Sequence, residues 1–210
     1  MSTPSLARAF DGVRLHIVTG KGGVGKTTVA ASLALSLASQ GKRVLLVEVE
    51  GRQGISQTFD VPPLGNDEVR LVTHVGGGEL WGLSVDAKAA LMEYLQMFYK
   101  LGRAGGALEK MGVVDFATTI APGVRDVLLT GKVYEAVGRT TGNRRGQGTK
   151  VWDAVVLDAP PTGRITRFLN VNTEIAGLAK VGPIRSQADS VMGVIRSART
   201  AVHLVTLLEE

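Results

Sequence analysis

Three segments near the start of the chain differ in the spacing of their apolar residues. Residues 13–19 (VRLHIVT) alternate and then become continuously apolar, which is typical of a buried strand. Residues 26–40 carry apolar side chains three and four positions apart, which predicts a helix that Gly41 ends. Residues 44–49 (VLLVEV) predict a second strand with an acidic end. Strand, helix and strand in succession predict a βαβ unit, which builds parallel sheets.

The pattern farther along the chain predicts further strands, helices and loops. Strands are predicted at 71–75, 80–85, 151–158 and 201–208. Helices are predicted at 87–100 with Asp86 as N-cap, within 106–137 with a break at Pro122-Gly123, and within 164–199. The stretch 51–68 is predicted to be a polar loop, and 139–150 a mobile, basic surface loop.

These elements predict an α/β fold, a mostly parallel, doubly wound sheet with a helical insertion. We expect residues 1–210 to form a single domain, with a helical subdomain at about 87–140. The chain stops right after a predicted core strand, whereas strands of a parallel sheet are usually covered by helices on both faces. We therefore expect the sequence to be truncated at its C-terminus.

Composition excludes several classes of function. The chain has no cysteine, so it holds no disulfide framework, thiol nucleophile or cysteine-ligated metal. Hydrophobic residues make up 44% and the formal net charge is only +5. No apolar segment approaches the ~20 residues that span a bilayer, and residues 1–11 lack a signal-peptide core. We therefore expect a cytoplasmic protein, peripheral at most to a membrane partner. The chain has 27 glycines, about 13% against a typical 7%. Their number indicates that glycine is used for particular local backbone conformations.

One group of glycines, in residues 20–28 (GKGGVGKTT), follows the first predicted strand and fits two fingerprints. The stretch 20–25 matches G-x-G-x-x-G, which is typical of a dinucleotide site. Glu48, at the end of the next strand, would then bind a ribose hydroxyl. A dinucleotide-dependent oxidoreductase is therefore one interpretation.

The same loop also matches G-x-x-x-x-G-K-[ST], the Walker A phosphate loop. Lys26 would then reach the β and γ phosphates of a nucleoside triphosphate, and Thr27 would bind Mg²⁺. Backbone amides at the start of the helix would hold the phosphates. A lysine has no use beside the pyrophosphate of a dinucleotide, so the pattern favours the triphosphate.

An acid at the end of another strand supports the same interpretation. Asp158 ends the predicted strand 151–158, and in phosphate-loop enzymes such an acid helps to hold Mg²⁺, here through water. In the following residues 159–163 (APPTG), the two prolines stiffen the chain where it leaves the strand. Gly163 would serve as a pivot near the γ phosphate. The predicted nucleotide-binding residues are Gly20, Gly22, Gly23, Val24, Gly25, Lys26, Thr27, Thr28, Pro161, Thr162 and Gly163.

These motifs resemble those of a known family. Lys21 within the loop gives the deviant Walker A sequence of the division-site, plasmid-partition and arsenite-pump ATPases. The segment DAPPTG at 158–163 resembles the second switch of the arsenite-pump (ArsA) and tail-anchored-protein-targeting ATPases. The stretches 83–94 and 121–128 are similar to the same branch. The resemblance extends from residue 13 to the last predicted strand.

The resemblance implies an ATP- and Mg²⁺-dependent switch that works as a homodimer, or as a heterodimer with a paralogous subunit. Lys21 would reach the phosphates bound to the partner subunit, and the dimer would act on a client protein or a membrane partner. The first switch departs from the family's Asp-Pro-Ala, since Glu50 stands at the aspartate position. We expect Glu50, rather than Glu48, to orient the attacking water; pairing with a neighbouring cation is the alternative role for Glu48. Arg164 stands where targeting ATPases carry histidine.

Other functions have weaker support. A partition-type ATPase acting on DNA or a membrane is the alternative, but the basic residues of 139–150 are not interleaved with aromatic residues that stack on bases. Nucleic acid is therefore disfavoured as a partner. The widely spaced His16, His74 and His203 indicate core or edge packing rather than a metal site. The adenine-recognition residues are expected beyond Glu210, and without cysteine this chain has no thiolate for arsenite.

Overall fold

The computed structural model describes residues 10–49, 51–99, 122–141, 148–170 and 183–208. In these ranges the strands are β1 (Leu15–Gly20), β2 (Arg43–Val49), β3 (Val69–Val75), β4 (Gly78–Val85), β5 (Ala154–Asp158) and β6 (Thr200–Val205). The helices are α1 (Lys26–Ser39), α2 (Gly54–Phe59), α3 (Ala87–Tyr99), α4 (Pro122–Gly138), α5 (Thr162–Leu169) and α6 (Pro183–Ile195).

The strands form one sheet in the order β3-β4-β2-β5-β1-β6. Every neighbouring pair is parallel except β3 with β4, which is antiparallel. The first βαβ unit does not form adjacent strands, because β5 is inserted between β1 and β2. The mostly parallel sheet predicted from the sequence is confirmed, and the insertion of β5 brings the carboxyl ends of β1, β2 and β5 together.

Both faces of the sheet are covered, as the nearly continuous apolar strands predict. On β2, Leu45 and Val47 pack into one hydrophobic cluster with side chains of α3, α4 and α5. Val44 and Leu46 point to the opposite face and pack against α1. All four side chains are fully buried. The sheet is therefore doubly wound, and its central strands are rigid supports for whatever lies at their ends.

The predicted polar loop at 51–68 is wrong in part, because it contains α2, whose Ile55 is fully buried. The predicted mobile loop at 139–150 is wrong at both ends. Thr140 and Lys150 form an antiparallel bridge, and Arg139 forms ion pairs with Glu68 and Glu135. Residues 142–147 lie outside the described residues. The ion pairs hold Arg139 against the domain rather than presenting it to a partner.

The predicted helices are confirmed where they are described. Asp86 caps α3, since its Oδ1 accepts hydrogen bonds from the backbone amides of Lys88 and Ala89, each 3.0 Å long. Residues 100–121, and with them most of the central part of the predicted helical subdomain, lie outside the described residues. Across the ranges that are described, no helix combines the length and apolarity needed to cross a bilayer.

His16 and His203, far apart in sequence, lie next to each other where β1 pairs with β6. His16 Nδ1 is 3.1 Å from His203 Nε2, and the ring of Phe10 packs edge-on against both imidazoles. His16 is fully buried, so the predicted core packing is confirmed. Burial, with the nearby His203 and Lys42, lowers the pKa of His16 to about 4. In the ranges described, no three acidic, histidine or cysteine side chains group as a metal site.

Candidate functional site

The glycine-rich loop runs from the end of β1 at Gly20 to the start of α1 at Lys26. Gly23 and Gly25 have φ angles of 81° and 82°, in the left-handed region that costs L-residues with a Cβ atom about 1–2 kcal/mol. Val24 between them is half-buried, whereas Gly22 and Thr28 are exposed. The loop therefore presents its backbone to solvent at the N-terminus of a 14-residue helix, where the helix dipole favours an anion.

The two lysines of the loop have different environments. Lys26 is 7% exposed, and its Nζ donates a hydrogen bond of 2.9 Å to the backbone carbonyl of Lys21. The side chain of Lys21 is exposed. The buried ammonium of Lys26 thus lies against the loop, where it can pair with an anion held by the loop amides. The charge of Lys21 is in contrast exposed to solvent.

Thr27 and Asp158 meet beneath the loop, 131 residues apart in sequence. Thr27 Oγ1 donates a hydrogen bond of 2.6 Å to Asp158 Oδ2. Asp158 is 1% exposed, and within the described part of the chain its Oδ1 is buried with no hydrogen-bond partner. Burial raises the pKa of the Asp158 carboxyl above its ordinary value, and the hydrogen bond from Thr27 opposes that rise.

This pair has the chemistry of a magnesium site. Mg²⁺ prefers oxygen ligands and usually binds to one or two protein groups while it keeps several waters. The Thr27 hydroxyl and the partnerless Oδ1 of Asp158 supply such oxygens at the end of β5. The residues present therefore fit the ion that the sequence predicts.

The second-switch segment is attached to β1. The Ala159 amide donates to Val18 O over 2.9 Å, and Thr19 Oγ1 donates to Pro160 O over 2.8 Å. Pro161 has extended backbone (φ −64°, ψ 161°) and is the N-cap of α5. Thr162 and Gly163 form the exposed first turn of this helix, beside the phosphate loop's strand. Two hydrogen bonds thus join the segment before α5 to β1, the strand that leads into the phosphate loop.

Glu48 anchors the first switch, and within the described ranges its partners are two backbone amides and a hydroxyl rather than the cation considered as an alternative. Its carboxylate is fully buried and accepts hydrogen bonds from the amides of Gln53 (2.7 Å) and Ile55 (3.1 Å) and from the hydroxyl of Ser84 (3.0 Å). Both oxygens are therefore occupied by the chain's own donors, which argues against a ribose ligand. Glu50 lies outside the described residues, so its predicted role stays a prediction.

Sequence reasoning missed two residues of the first switch. Arg52 Nη2 lies 4.0 Å from Asp158 Oδ2 and 3.4 Å from the backbone oxygens of Asp158 and Ala159. Gly54 lies against Thr27, because a Cβ at this position would be 3.1 Å from Thr27 Cγ2. The available signal was the departure from Asp-Pro-Ala, which puts an arginine where the resembling family has alanine.

Comparisons of the sequence with known proteins point to a family. The family model described as "Anion-transporting ATPase" (ArsA_ATPase) matches residues 13–206. ATPase BagA of Mycobacterium tuberculosis is 58% identical over 200 residues, which cover 95% of this chain and 58% of that protein. A putative arsenical pump-driving ATPase 2 of Aquifex aeolicus is 29% identical over 160 residues, covering 75% of this chain and 48% of that protein.

ATPase get3 of Schizosaccharomyces japonicus is 29% identical over 184 residues, covering 84% of this chain and 52% of that protein. The chain thus spans about half to three fifths of the length of these relatives. The family match covers nearly all of the chain, including the glycine-rich loop, Asp158 and both switches. The chain therefore belongs to the anion-transporting ATPase family, the ArsA-type ATPases.

Proposed function

We propose that this chain binds ATP with Mg²⁺ and hydrolyses it to ADP and phosphate, as the catalytic part of an ArsA-type switch. The contact between Thr27 and Asp158 carries the proposal, because it joins the phosphate loop to the acid at the end of β5. A glycine turn with only a structural role does not need a buried carboxylate oxygen left without a partner beneath it. Membership of the ATPase family supports the same reaction.

Each predicted site residue then has a definite task. The amides of the loop from Gly22 to Thr28 hold the phosphates, and Lys26 leaves Lys21 O to bind the β and γ phosphates. Thr27 and Asp158 hold Mg²⁺, which neutralises phosphate charge when bound. Gly20 begins the loop beside Val24, since a Cβ at Gly20 would lie 3.1 Å from Val24 Cγ2.

The remaining groups act at the γ phosphate. Glu50 orients a water whose oxygen attacks the γ phosphorus, so that the bond to the bridging oxygen breaks and ADP leaves. Pro161, Thr162 and Gly163 respond to whether the γ phosphate is bound, and their change in position is passed on to α5. The connections of this segment to β1 support such a coupling.

A second copy, or a paralogous subunit, completes the site in this proposal. The exposed side chain of Lys21 is free to cross an interface, where its charge would stabilise the transition state of the neighbouring subunit. Opening and closing of this dimer would drive a client protein or a membrane partner. An arsenite cargo bound by thiolates is excluded for these 210 residues, which contain no cysteine.

The proposal is tested by nucleotide binding and turnover with and without Mg²⁺. Thr27→Val removes the hydroxyl but keeps the shape of the side chain, whereas Thr27→Ser keeps the hydroxyl and serves as its matched control. We expect Thr27→Val to lose Mg²⁺-dependent ATP affinity by about 10–100-fold, and Thr27→Ser to retain it. Lys26→Ala should abolish turnover. Tight, Mg²⁺-independent binding of NAD by the wild-type chain would overturn the proposal.

A further inference from the structure

Arg52 brings a guanidinium to the end of β5 without binding it tightly. A well-formed arginine–carboxylate pair has N–O distances of about 2.7–2.9 Å. Here Nη2 is 4.0 Å from Asp158 Oδ2, and its two contacts with the carbonyls of Asp158 and Ala159 are both 3.4 Å long. The side chain is 36% exposed, whereas Asp158 is buried. Among the described residues, the half-exposed guanidinium is therefore held only by long contacts beside the site.

The backbone that carries Arg52 is, in contrast, firmly held. The next residue, Gln53, donates its amide hydrogen to Glu48, and its side chain both donates to Leu64 O (2.9 Å) and accepts from Leu64 N (2.8 Å). Gln53 itself has a positive φ of 56°, which an L-residue adopts only when its surroundings fix it. The backbone at Arg52 is thus fixed, whereas its guanidinium has only long contacts among the described residues. Such a side chain can bind a ligand without a change in the backbone.

The ligand that this position fits is a phosphate. Thr27 and Asp158, the proposed Mg²⁺ residues, are 2.6 Å apart, and Arg52 lies 4.0 Å from the same Asp158 oxygen. Arg52 thus lies beside the proposed metal site, on the loop between β2 and α2. A guanidinium offers five donors in a planar fork that matches the oxygens of a phosphoryl group. Its charge is of most use where negative charge develops during phosphoryl transfer.

We propose that Arg52 is a nucleotide-binding residue of the first switch, which leaves the end of β5 when Mg·ATP binds and contacts the terminal phosphate in cis. This rests on the proposed ATPase function and adds to it a second positive charge from the same subunit. Because ADP lacks the terminal phosphate, Arg52 distinguishes the two nucleotides. The backbone of the first switch stays anchored to Glu48 while the side chain moves.

The test compares the Mg²⁺ complexes of AMP-PNP and ADP, titrated calorimetrically into the wild-type chain, Arg52→Ala and Arg52→Lys. We expect Arg52→Ala to weaken AMP-PNP binding about 10–100-fold, the loss typical of a hydrogen bond to a charged group. Binding of ADP should change less than about threefold, and Arg52→Lys should restore part of the loss because the charge remains. Turnover of ATP by Arg52→Ala should fall as well.

Arg70→Ala is the matched control for removing an arginine. Arg70 stacks 4.9 Å above the ring of Trp81 and pairs with Glu79 over 2.7 Å, near the opposite end of the sheet. Its nucleotide affinities should equal those of the wild type. Thermal unfolding is measured for each variant, so that a loss of stability is separated from a loss of phosphate contact.

Three results would overturn the inference. In the first, Arg52→Ala binds AMP-PNP and ADP as the wild type does, while Lys26→Ala loses both; the ATPase proposal then survives and the role of Arg52 does not. In the second, Arg52→Ala loses both nucleotides equally and unfolds at a lower temperature, which indicates a structural role. In the third, the wild-type chain and Lys26→Ala bind neither nucleotide, and both proposals fail together.

Discussion

Replacing Glu48 by Gln changes one oxygen of a buried carboxylate into an amide group and removes its charge. In the native chain Oε1 accepts from Gln53 N and Ser84 Oγ, and Oε2 accepts from Ile55 N. A glutamine carbonyl can keep the two donors on the Oε1 side. Its NH₂ group would then face the Ile55 amide, so that two donors oppose each other.

The expected loss of stability follows from this geometry. A hydrogen bond to a charged group contributes about 1.5–3 kcal/mol, and a buried donor left without an acceptor costs about 1–3 kcal/mol. We expect Glu48→Gln to lower the free energy of unfolding by about 2–4 kcal/mol. For a domain of this size 1 kcal/mol lowers the melting temperature by about 2–4 °C, so the expected shift is roughly 4–16 °C.

Urea unfolding followed by circular dichroism measures this difference, with Ser84→Ala as the control. Ser84→Ala removes one of the three donors and leaves both amides bound, so it should cost about 1.5 kcal/mol, the low end for a hydrogen bond to a charged group. The reasoning is refuted if Glu48→Gln lies within about 0.5 kcal/mol of the wild type, or if it costs no more than Ser84→Ala. In either case the carboxylate would not be the anchor of the first switch.

Two further predictions test other parts of the chain. The pKa of His16 is lowered to about 4 in the folded chain, so the unfolded chain binds the extra proton first as pH falls. Stability should therefore decrease by about 2 kcal/mol between pH 7 and pH 5, and urea unfolding of His16→Gln should show a smaller loss, since burial also lowers the pKa of His203. Gly54→Ala would place a Cβ 3.1 Å from Thr27 Cγ2 and should weaken Mg·ATP binding about tenfold. Gly65→Ala, whose Cβ meets nothing within 4 Å, should bind Mg·ATP normally in the same titration; equal affinities for the two alanine variants would contradict the prediction.

The elements that the sequence predicted well are those whose own side chains determine them. β2 and β5 are apolar on both faces, and α1 has apolar residues at helical spacing, so each is recognisable alone. α2 was missed because it has only six residues and its first turn is held by Glu48, a carboxylate from another element. Local pattern carries no information about such a distant acceptor.

In the candidate site, too, residues defined by a local motif were predicted and those that depend on distant contacts were not. The loop, Lys26, Thr27 and Asp158 were predicted because motif spacing defines them. Arg52 was not, because its position beside Asp158 depends on β2 and β5 being neighbours in the sheet, with Glu48 opposite Asp158. The neighbouring imidazoles of His16 and His203 depend in the same way on the pairing of β1 with β6. Strand order, rather than strand identity, is what the hydrophobic pattern leaves open.

The long separation between Thr27 and Asp158 also has a consequence for synthesis. These residues are 131 positions apart, and a ribosome that adds about 5–20 residues per second needs roughly 7–26 s to pass from one to the other. During that interval the phosphate loop has been made but its neighbour strand β5 has not. Under the proposed function, ATP and Mg²⁺ therefore stabilise the site that Thr27 and Asp158 form only after β5 has been translated.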